Sequence, residues 1–283
     1  MKSQIRCIVL IGLGSIGKRH LESLIKLKHK YKIYLIDKNL EALEFCKEKI
    51  CKNINIHNFF FSNKITDLPK FIDLAIIATN ADIRREITEK LIYQTSIKYI
   101  IFEKIAFQSI ADFKKIIYFL NKKGIKSWVN CPRRCWPIYK KLKKKINRKP
   151  LVMRIEGNNW GMASNSVHCL DLLSYLIGEN KFYLVNSNLH KKIYKSKRNF
   201  FYEFGGKFII KSSHGSTIII QDNMIGKNRP NITIDLKDKK FLINEEKSII
   251  KKFDNKKMRL IKQTKFKEPL QSNLTHRYIT KIF

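Results

Sequence analysis

Continuous apolar runs alternate with helix-like stretches over roughly the first 130 residues of this 283-residue chain. Such runs are typical of strands buried on both faces, as the strands of a parallel sheet are. The pattern predicts strands at residues 5–11, 32–36, 54–61, 74–78, 99–102 and 127–129. It predicts helices from residue 15, at 40–49 behind an Asn39 cap, at 84–93, and at 110–120 before a Gly124 stop. Because a helix between two parallel strands makes a right-handed crossover, we expect an α/β domain here.

A different pattern follows Pro150. Apolar and polar residues alternate over residues 232–236, which is typical of an antiparallel sheet with one solvated face. Strands are predicted at 151–157, 182–185, 208–212, 217–221, 232–236 and 240–243, and helices at 139–146 and 165–176. The sequence therefore predicts two domains, residues 1–130 and 131–283. Residues 274–283 have the pattern of a helix that is cut short, so we expect a second domain that is shortened at its C-terminus.

The first predicted strand leads directly into a glycine-rich turn that opens a helix. Gly12, Gly14 and Gly17 form the pattern G-x-G-x-x-G of dinucleotide-binding proteins. There the first glycine permits a sharp turn, the second leaves room for a pyrophosphate, and the third lets helix and strand pack closely. We expect the backbone N–H groups of the first helical turn, at Ser15 and Ile16, to face the phosphates.

Further polar residues stand where other predicted strands end. Asp37 ends the second strand 20 residues after Gly17, where a carboxylate would bind the adenosine ribose and repel the 2′-phosphate of NADP. The fourth and fifth strands end at the pairs Thr79-Asn80 and Glu103-Lys104. Ligands of open parallel sheets bind outside the carboxyl ends of strands. The sequence therefore predicts a site for NAD, with NADP as the alternative because Lys38 adjoins Asp37.

The formal net charge of +35 raises the possibility of a nucleic-acid partner. The lysines are spread over helices, loops and strands rather than gathered in one arm, so we expect no specific nucleic-acid binding. No apolar run approaches the ~20 residues of a membrane span, and the N-terminus lacks a signal region, which favours a cytoplasmic protein. The six cysteines form no C-x-x-C pair, which indicates reduced thiols and no metal site.

Five motifs resemble, in the same order, those of the Gfo/Idh/MocA oxidoreductases (glucose-fructose oxidoreductase, inositol dehydrogenase and rhizopine catabolism). They are G-x-G-x-x-G-x-R-H at residues 12–20, A-T-P/N at 78–80, E-K-P at 103–105, V-x-Y-N-R-R-F-x-P at 129–137, and H-x-x-D-L-L at 168–173. The resemblance implies an N-terminal Rossmann domain with a doubly wound parallel sheet and a C-terminal α+β domain with a mostly antiparallel sheet. It also implies an active site between them and reversible hydride transfer between NAD(P) and a sugar, polyol or nucleotide-sugar carbon.

The chain departs from the family pattern at two chemically important positions. Family members commonly carry an aspartate four residues before the motif histidine, and this chain has Ser164 there, next to Asn165. A serine can hydrogen-bond a substrate hydroxyl but cannot accept its proton at neutral pH. Ile105 replaces the proline of E-K-P, which leaves Lys104 less rigidly held.

Alcohol oxidation by hydride removal needs a base for the hydroxyl proton, and the reverse reaction needs an acid. Lys104 and His168 are the candidates for that role. Asp171 is expected to share a helix face with His168 and to orient it. Arg134 and Ser164 are candidate substrate contacts. For each of them the alternative is an ordinary structural or solvated side chain.

Three functions remain open from the sequence. The favoured one is a dehydrogenase or reductase that acts on CH–OH groups of a sugar or nucleotide sugar, in a homo-oligomer that uses the exposed face of the second sheet. The second is a dinucleotide-binding sensor or partner subunit with little or no activity, which the loss of the family aspartate favours. The third is a polyanion-binding protein.

Overall fold

The structure is a computed structural model that describes residues 5–52, 56–196 and 200–283. The chain forms two compact units. The N-terminal unit comprises Met1–Asn130 together with Pro269–Phe283, and the C-terminal unit comprises Cys131–Glu268.

The N-terminal unit is built on a six-stranded sheet whose strands are all parallel. Its strands are β1 (Cys7–Ile11), β2 (Lys32–Ile36), β3 (Asn58–Ser62), β4 (Phe71–Ile77), β5 (Ser96–Phe102) and β6 (Lys126–Val129). Their spatial order is β3-β2-β1-β4-β5-β6, the order of the Rossmann fold. The parallel sheet is thus confirmed; β3 begins later than predicted, and predicted strand positions 54 and 55 lie outside the described residues.

Helices cover both faces of this sheet. They are α1 (Ser15–Leu24), α2 (Leu40–Cys51), α3 (Ala81–Gln94) and α4 (Ile110–Lys122). Leu21 and Leu43 of α1 and α2 pack into one core, whereas Leu91 and Ile116 of α3 and α4 pack into the other. The predicted Asn39 cap is confirmed, because its side chain accepts a hydrogen bond from the Ala42 N–H at 3.1 Å. The unit is therefore doubly wound, as the resemblance implied.

The last helix requires a correction to the predicted domains. Helix α7 (Thr275–Ile282) belongs to the N-terminal unit, although residues 131–283 were expected to form one domain. Its Ile279 is completely buried in the core that contains α1 and α2. The Thr275 hydroxyl contacts His20 Nδ1 at 2.8 Å, and the His276 N–H donates to the Ser23 hydroxyl at 2.8 Å. An apolar stripe on α7 and this polar contact with α1 explain why the chain returns to the first sheet.

The C-terminal unit is built on an eight-stranded sheet. Its strands are β7 (Val152–Asn158), β8 (Phe182–Lys195), β9 (Tyr202–Ser212), β10 (Thr217–Asp222), β11 (Asn228–Asp235), β12 (Lys239–Asn244), β13 (Ile249–Asp254) and β14 (Arg259–Lys265). The order is β14-β13-β12-β11-β7-β10-β9-β8, and only β7 and β10 pair in parallel among these strands. The mostly antiparallel sheet is confirmed. Strands β13 and β14 were not predicted. Every residue of β14 is exposed, so its pattern has no buried face.

Two helices complete this unit, α5 (Pro137–Ile146) and α6 (Met162–Ile177). A buried ionic network ties the start of α5 to the end of β12. Arg133 donates through Nε and Nη2 to the two carboxylate oxygens of Glu245, at 2.7 and 2.6 Å, and the Tyr139 hydroxyl donates to Glu245 Oε1 at 2.5 Å. Burial alone would raise the pKa of Glu245, but the Arg133 charge and these hydrogen bonds lower it. The carboxylate therefore stays ionised and holds α5 in place.

Among the described residues, no helix combines the length and the apolar character that crossing a membrane requires. All six cysteines are free thiols. Burial, with the Asp73 charge nearby, raises the pKa of the Cys7 thiol to about 12. Cys7 is therefore protonated at neutral pH and acts as a core side chain.

Candidate active site

The glycine-rich turn lies at the carboxyl end of β1, against the residues that follow β4. Gly12 has φ +92°, and a Cβ atom there would stand 2.7 Å from the Thr79 backbone nitrogen. A Cβ atom on Gly17 would stand 1.9 Å from the Gly12 carbonyl oxygen. Both glycines are therefore needed by the protein's own packing, whether or not a ligand is bound.

Gly14 is different, because nothing in the described chain needs its lack of a side chain. A Cβ atom there would meet nothing within 4 Å. Its φ of −65° is open to any residue, and it is exposed at the N-cap of α1. The space next to Gly14 and the first N–H groups of α1 fits the pyrophosphate of a dinucleotide. Ser15 and Ile16 open α1 beside it, as predicted.

Asp37 lies beside this turn, at the end of β2. Its Oδ2 accepts the Leu13 N–H at 2.5 Å and its Oδ1 accepts the Asn39 N–H at 2.9 Å. These bonds fix the carboxylate against the glycine-rich turn. Each oxygen retains a second lone pair, so the group can also accept a ribose hydroxyl.

Thr79 and Asn80 follow β4 directly. The Thr79 side-chain oxygen is buried and has no hydrogen-bond partner among the described residues. A buried hydroxyl without a partner is costly, so the Thr79 hydroxyl is available for a hydrogen bond with a bound ligand. Asn80 is the exposed N-cap of α3, and its side chain makes no cap hydrogen bond.

Arg84 of α3 joins the segments that follow β4 and β5. Its guanidinium donates to the carbonyl oxygens of Thr79, Glu103, Ile105 and Ala106. The side chain is only 2% exposed. It is a buried clamp that positions the two segments carrying Thr79 and Lys104.

Glu103 was a candidate for cofactor binding, but its carboxylate turns into the protein. Its Oε1 contacts His20 Nε2 at 2.9 Å and accepts the Asn130 side-chain N–H at 2.5 Å, and its Oε2 accepts the Lys104 N–H at 3.3 Å. Burial would raise the pKa of Glu103, but the hydrogen bond and charge of His20 lower it. These contacts support a positioning role. His20 has a structural role, since it is completely buried between Glu103 and Thr275.

Lys104 follows Glu103 at the end of β5 and is half-buried. The peptide bond between Lys104 and Ile105 is cis. The structure thus brings Gly14, Asp37, Thr79 and Lys104 to the ends of neighbouring strands at one edge of the N-terminal sheet.

In the C-terminal unit, α6 carries the candidate histidine. The turn before α6 is held by the buried carboxylate of Asp222, which accepts the N–H groups of Asn159 at 2.6 Å and Trp160 at 3.0 Å. Ser164 donates to the Gly161 carbonyl at 3.2 Å in the first turn of the helix. His168 lies one turn further on and is half-buried.

Arg134 and Asp171 were expected to contact substrate and to orient His168, respectively. Instead they pair with each other. Arg134 Nε lies 2.8 Å from both Asp171 carboxylate oxygens, and its Nη2 lies 2.7 Å from Oδ1. A planar guanidinium can bind both oxygens of a carboxylate at once, and an imidazole ring cannot. Asp171 therefore pairs with Arg134. This ion pair was not predicted, and the contacts of Arg134 with substrate and of Asp171 with His168 stay predictions.

One carboxylate near Ser164 was not singled out by the sequence. Glu203 of β9 is 9% exposed, and its Oε2 accepts the Ala163 N–H at 2.9 Å at the N-terminus of α6. A Cβ atom on Gly161 would lie 3.2 Å from Glu203 Oε1 and 3.1 Å from both Ser164 Oγ and Asn165 Nδ2. Because Gly161 has no side chain, these three polar atoms surround a common point. Family members commonly carry an aspartate at the position of Ser164. In this chain the carboxylate of Glu203 lies next to that position instead.

The sequence contains a signal for both Arg84 and Glu203, whose buried contacts were not predicted. On α3 the buried positions are Arg84, Ile87, Thr88, Leu91 and Ile92, so Arg84 occupies the first position of the apolar stripe. On β9 the inward positions include Glu203 and Gly205. A charged residue in phase with buried positions indicates a buried polar role, and the partner that it contacts is set only by the fold.

Residues 6–131 match the family model GFO_IDH_MocA, which is described as an oxidoreductase family with an NAD-binding Rossmann fold. The N-terminal unit is thus an NAD-binding Rossmann domain, and its edge carries the glycine turn and acidic residue that such domains use. This match to residues 6–131 agrees with the resemblance that the motifs at residues 12–20, 78–80 and 103–105 indicated. Among curated proteins, no sequence matches it.

Solved structures share the fold over 82% to 99% of the chain at low sequence identity. UDP-N-acetylglucosamine 3-dehydrogenase GnnA from Acidithiobacillus ferrooxidans is 12% identical, with a TM-score of 0.71 over 98% of this chain and 90% of that one. A super-repressor mutant of Gal80p from Saccharomyces cerevisiae is 12% identical, with a TM-score of 0.74 over 99% and 84%. The myo-inositol dehydrogenase from Lactobacillus casei, in complex with NAD(H) and myo-inositol, is 18% identical, with a TM-score of 0.63 over 82% and 71%.

Proposed function

We propose that this protein is an NAD-dependent oxidoreductase that transfers a hydride between the nicotinamide and a CH–OH carbon of a sugar, polyol or nucleotide sugar. The observation that carries the proposal is the edge of the N-terminal sheet. Open space at Gly14, a fixed carboxylate at Asp37, a buried hydroxyl at Thr79 and an amine at Lys104 stand there together. GnnA and the inositol dehydrogenase, which act on a nucleotide sugar and a polyol by their names, support the substrate class.

The bound cofactor supplies a nicotinamide carbon that accepts or donates a hydride. This chain's residues supply binding and proton transfer. Gly14 and the first turn of α1 hold the pyrophosphate. Asp37 accepts hydrogen bonds from the ribose hydroxyls and repels the 2′-phosphate of NADP. Lys104 Nζ takes the proton of the substrate hydroxyl in oxidation and returns it in reduction.

We assign His168 a second proton-handling role and Glu203 a positioning role. Helix α6 lacks the family carboxylate at Ser164, and the neighbouring strand β9 places the Glu203 carboxylate at the same turn of the helix. A carboxylate there orients substrate hydroxyls or polarises the groups that do so. With Glu203 in this position, the proposed activity does not require an aspartate at position 164.

A screen of NAD reduction tests the function. The full chain is mixed with NAD or NADP and with polyols, free sugars and nucleotide sugars in separate reactions, and nicotinamide absorbance is recorded. We expect turnover with one of the three classes and a preference for NAD. Binding of NADH without turnover in any class would overturn the proposal.

The Glu203→Gln variant tests the carboxylate. With the substrate found in the screen, we expect kcat about tenfold lower and a changed pH profile, while KM for NAD is unchanged. The exposed carboxylate of Glu156 in the same unit provides the control, because Glu156→Gln should leave both unaltered. If Glu203→Gln lost stability but kept an unaltered pH profile, Glu203 would act only as a cap of helix α6.

The second candidate is a dinucleotide-binding regulator. The serine at position 164 favours it, and the Gal80p structure has the same fold. This candidate predicts NADH binding without turnover, so the screen separates it from the enzyme.

We also propose that the protein forms a homo-oligomer through the edge strand β8. Tyr183, Leu184 and Ile193 of this strand are 54%, 61% and 66% exposed, which is more apolar surface than an isolated edge favours. Sedimentation of the full chain should therefore give a mass above that of one 33.5 kDa chain.

A further inference from the structure

A cavity of about 460 Å³ lies within the C-terminal unit, between helix α5 and the strands β12, β13 and β14. It is distinct from every residue assigned to the oxidoreductase site. Volumes of 300–1,000 Å³ are usual for small-molecule sites. The cavity is called the α5 groove below.

One wall of the α5 groove is a single face of the helix. Ile138, Lys141, Leu142 and Lys145 follow the i, i+3, i+4, i+7 spacing that places residues on one side of a helix. The apolar pair Ile138 and Leu142 lies beside the cationic pair Lys141 and Lys145. The wall is therefore amphipathic.

The opposite wall is formed by two neighbouring rungs of the sheet. In one rung, Phe241 of β12 pairs with Lys252 of β13, which pairs with Lys262 of β14. In the other, Ile250 of β13 pairs with Thr264 of β14. The groove thus changes from an apolar floor to a cationic rim towards the edge strand.

The positive charge at this groove is not balanced by the protein. Six of its thirteen lining residues are lysines and none is acidic. None of the six forms a salt bridge with a described residue. Lys141 and Lys145 repel each other along the helix, and Lys252 and Lys262 repel each other across the strands. Both unfavourable pairs face the same cavity, where an anion would relieve them.

We propose that the α5 groove binds a small anionic amphiphile, a molecule with an apolar body and a headgroup of phosphate type that carries more than one negative charge. The apolar body lies against Ile138 and Phe266, which line the groove and are half-buried, and the headgroup lies among the lysines. Lysine ammonium groups suit such a headgroup because they are compact point charges. The limited volume fits a small molecule, whereas a nucleic acid strand requires a continuous groove with aromatic platforms for its bases.

Calorimetric titration of the full chain with octyl phosphate, with NAD present to occupy the dinucleotide site, tests this proposal. Octyl glucoside has the same tail without charge, and inorganic phosphate has the charge without a tail. We expect one site for octyl phosphate and at least tenfold weaker binding of the other two. The double variant K141Q/K145Q should bind octyl phosphate at least tenfold more weakly than the wild type.

The double variant K140Q/K144Q is the matched control. It removes the same charge from the same helix, but neither lysine lines the groove. We expect its affinity to lie within twofold of the wild type. Equal losses in the two double variants would mean non-specific attraction to a basic protein, and inorganic phosphate or an oligonucleotide binding as tightly as octyl phosphate would also overturn the proposal.

Discussion

Replacing Lys104 by alanine is expected to lower kcat by about 10²- to 10⁴-fold, which is the usual contribution of a positioned acid or base. Lys104 follows β5 beside Glu103, whose carboxylate is held by His20 and Asn130, so its backbone position is well fixed. We expect the affinity for NADH to change little, because the assigned dinucleotide contacts lie at Gly14 and Asp37. The loss should therefore appear in turnover rather than in binding.

Lys98→Ala is the control for this prediction. Lys98 lies on the same strand and is exposed, and its ammonium group lies 5.3 Å from the ring of Tyr99. This variant should retain wild-type kcat. If Lys104→Ala turned over as fast as Lys98→Ala, proton transfer would have to be assigned to His168 alone.

Arg84→Ala should lower the free energy of unfolding of the N-terminal unit by about 3 kcal/mol, because it leaves buried carbonyl oxygens without their donor. The four carbonyl groups belong to the segments after β4 and β5, so the affinity for NADH should fall as well. Thermal or denaturant unfolding gives the first quantity, and NADH titration below the transition gives the second.

The neighbouring Arg85 provides the matched control. It forms salt bridges with Glu89 and Asp112 at 2.8 and 3.0 Å, but its side chain is 37% exposed. Surface ion pairs contribute about 0–1 kcal/mol, so Arg85→Ala should be nearly neutral. Equal destabilisation by the two alanine variants would contradict the clamp assigned to Arg84.

The sequence predicts those elements whose burial produces a clear period. Strands β1, β4 and β5 contain the continuous apolar runs that predict them, although β4 and β5 each begin three residues before the predicted start. Helix α4 lies between a Ser109 cap and Gly124. Strand β8 extends ten residues beyond its predicted end because most of its residues are exposed and carry no alternation. The return of α7 to the first unit depends on a contact between distant residues, which local patterns do not contain.

At the candidate site, too, some features are predictable from the sequence and others are not. Gly12, Gly17 and Asp37 are predictable, because the fingerprint states what the backbone needs at each position. Pairing is not predictable from spacing alone: Asp171 could face His168 by helix geometry, yet Arg134 from another element takes it. Long-range polar contacts of this kind are decided by which charged groups the tertiary fold brings together.

The most direct test of the central claim is an NADH titration of the wild type and of Gly14→Ala, with thermal unfolding of both in parallel. A Cβ atom at Gly14 meets nothing in the protein, so the variant should unfold at the same temperature. The same atom would occupy the space assigned to the pyrophosphate, so its affinity for NADH should be at least tenfold lower. Undiminished binding by a normally folded Gly14→Ala would contradict the assignment of the dinucleotide site on which the proposed oxidoreductase rests.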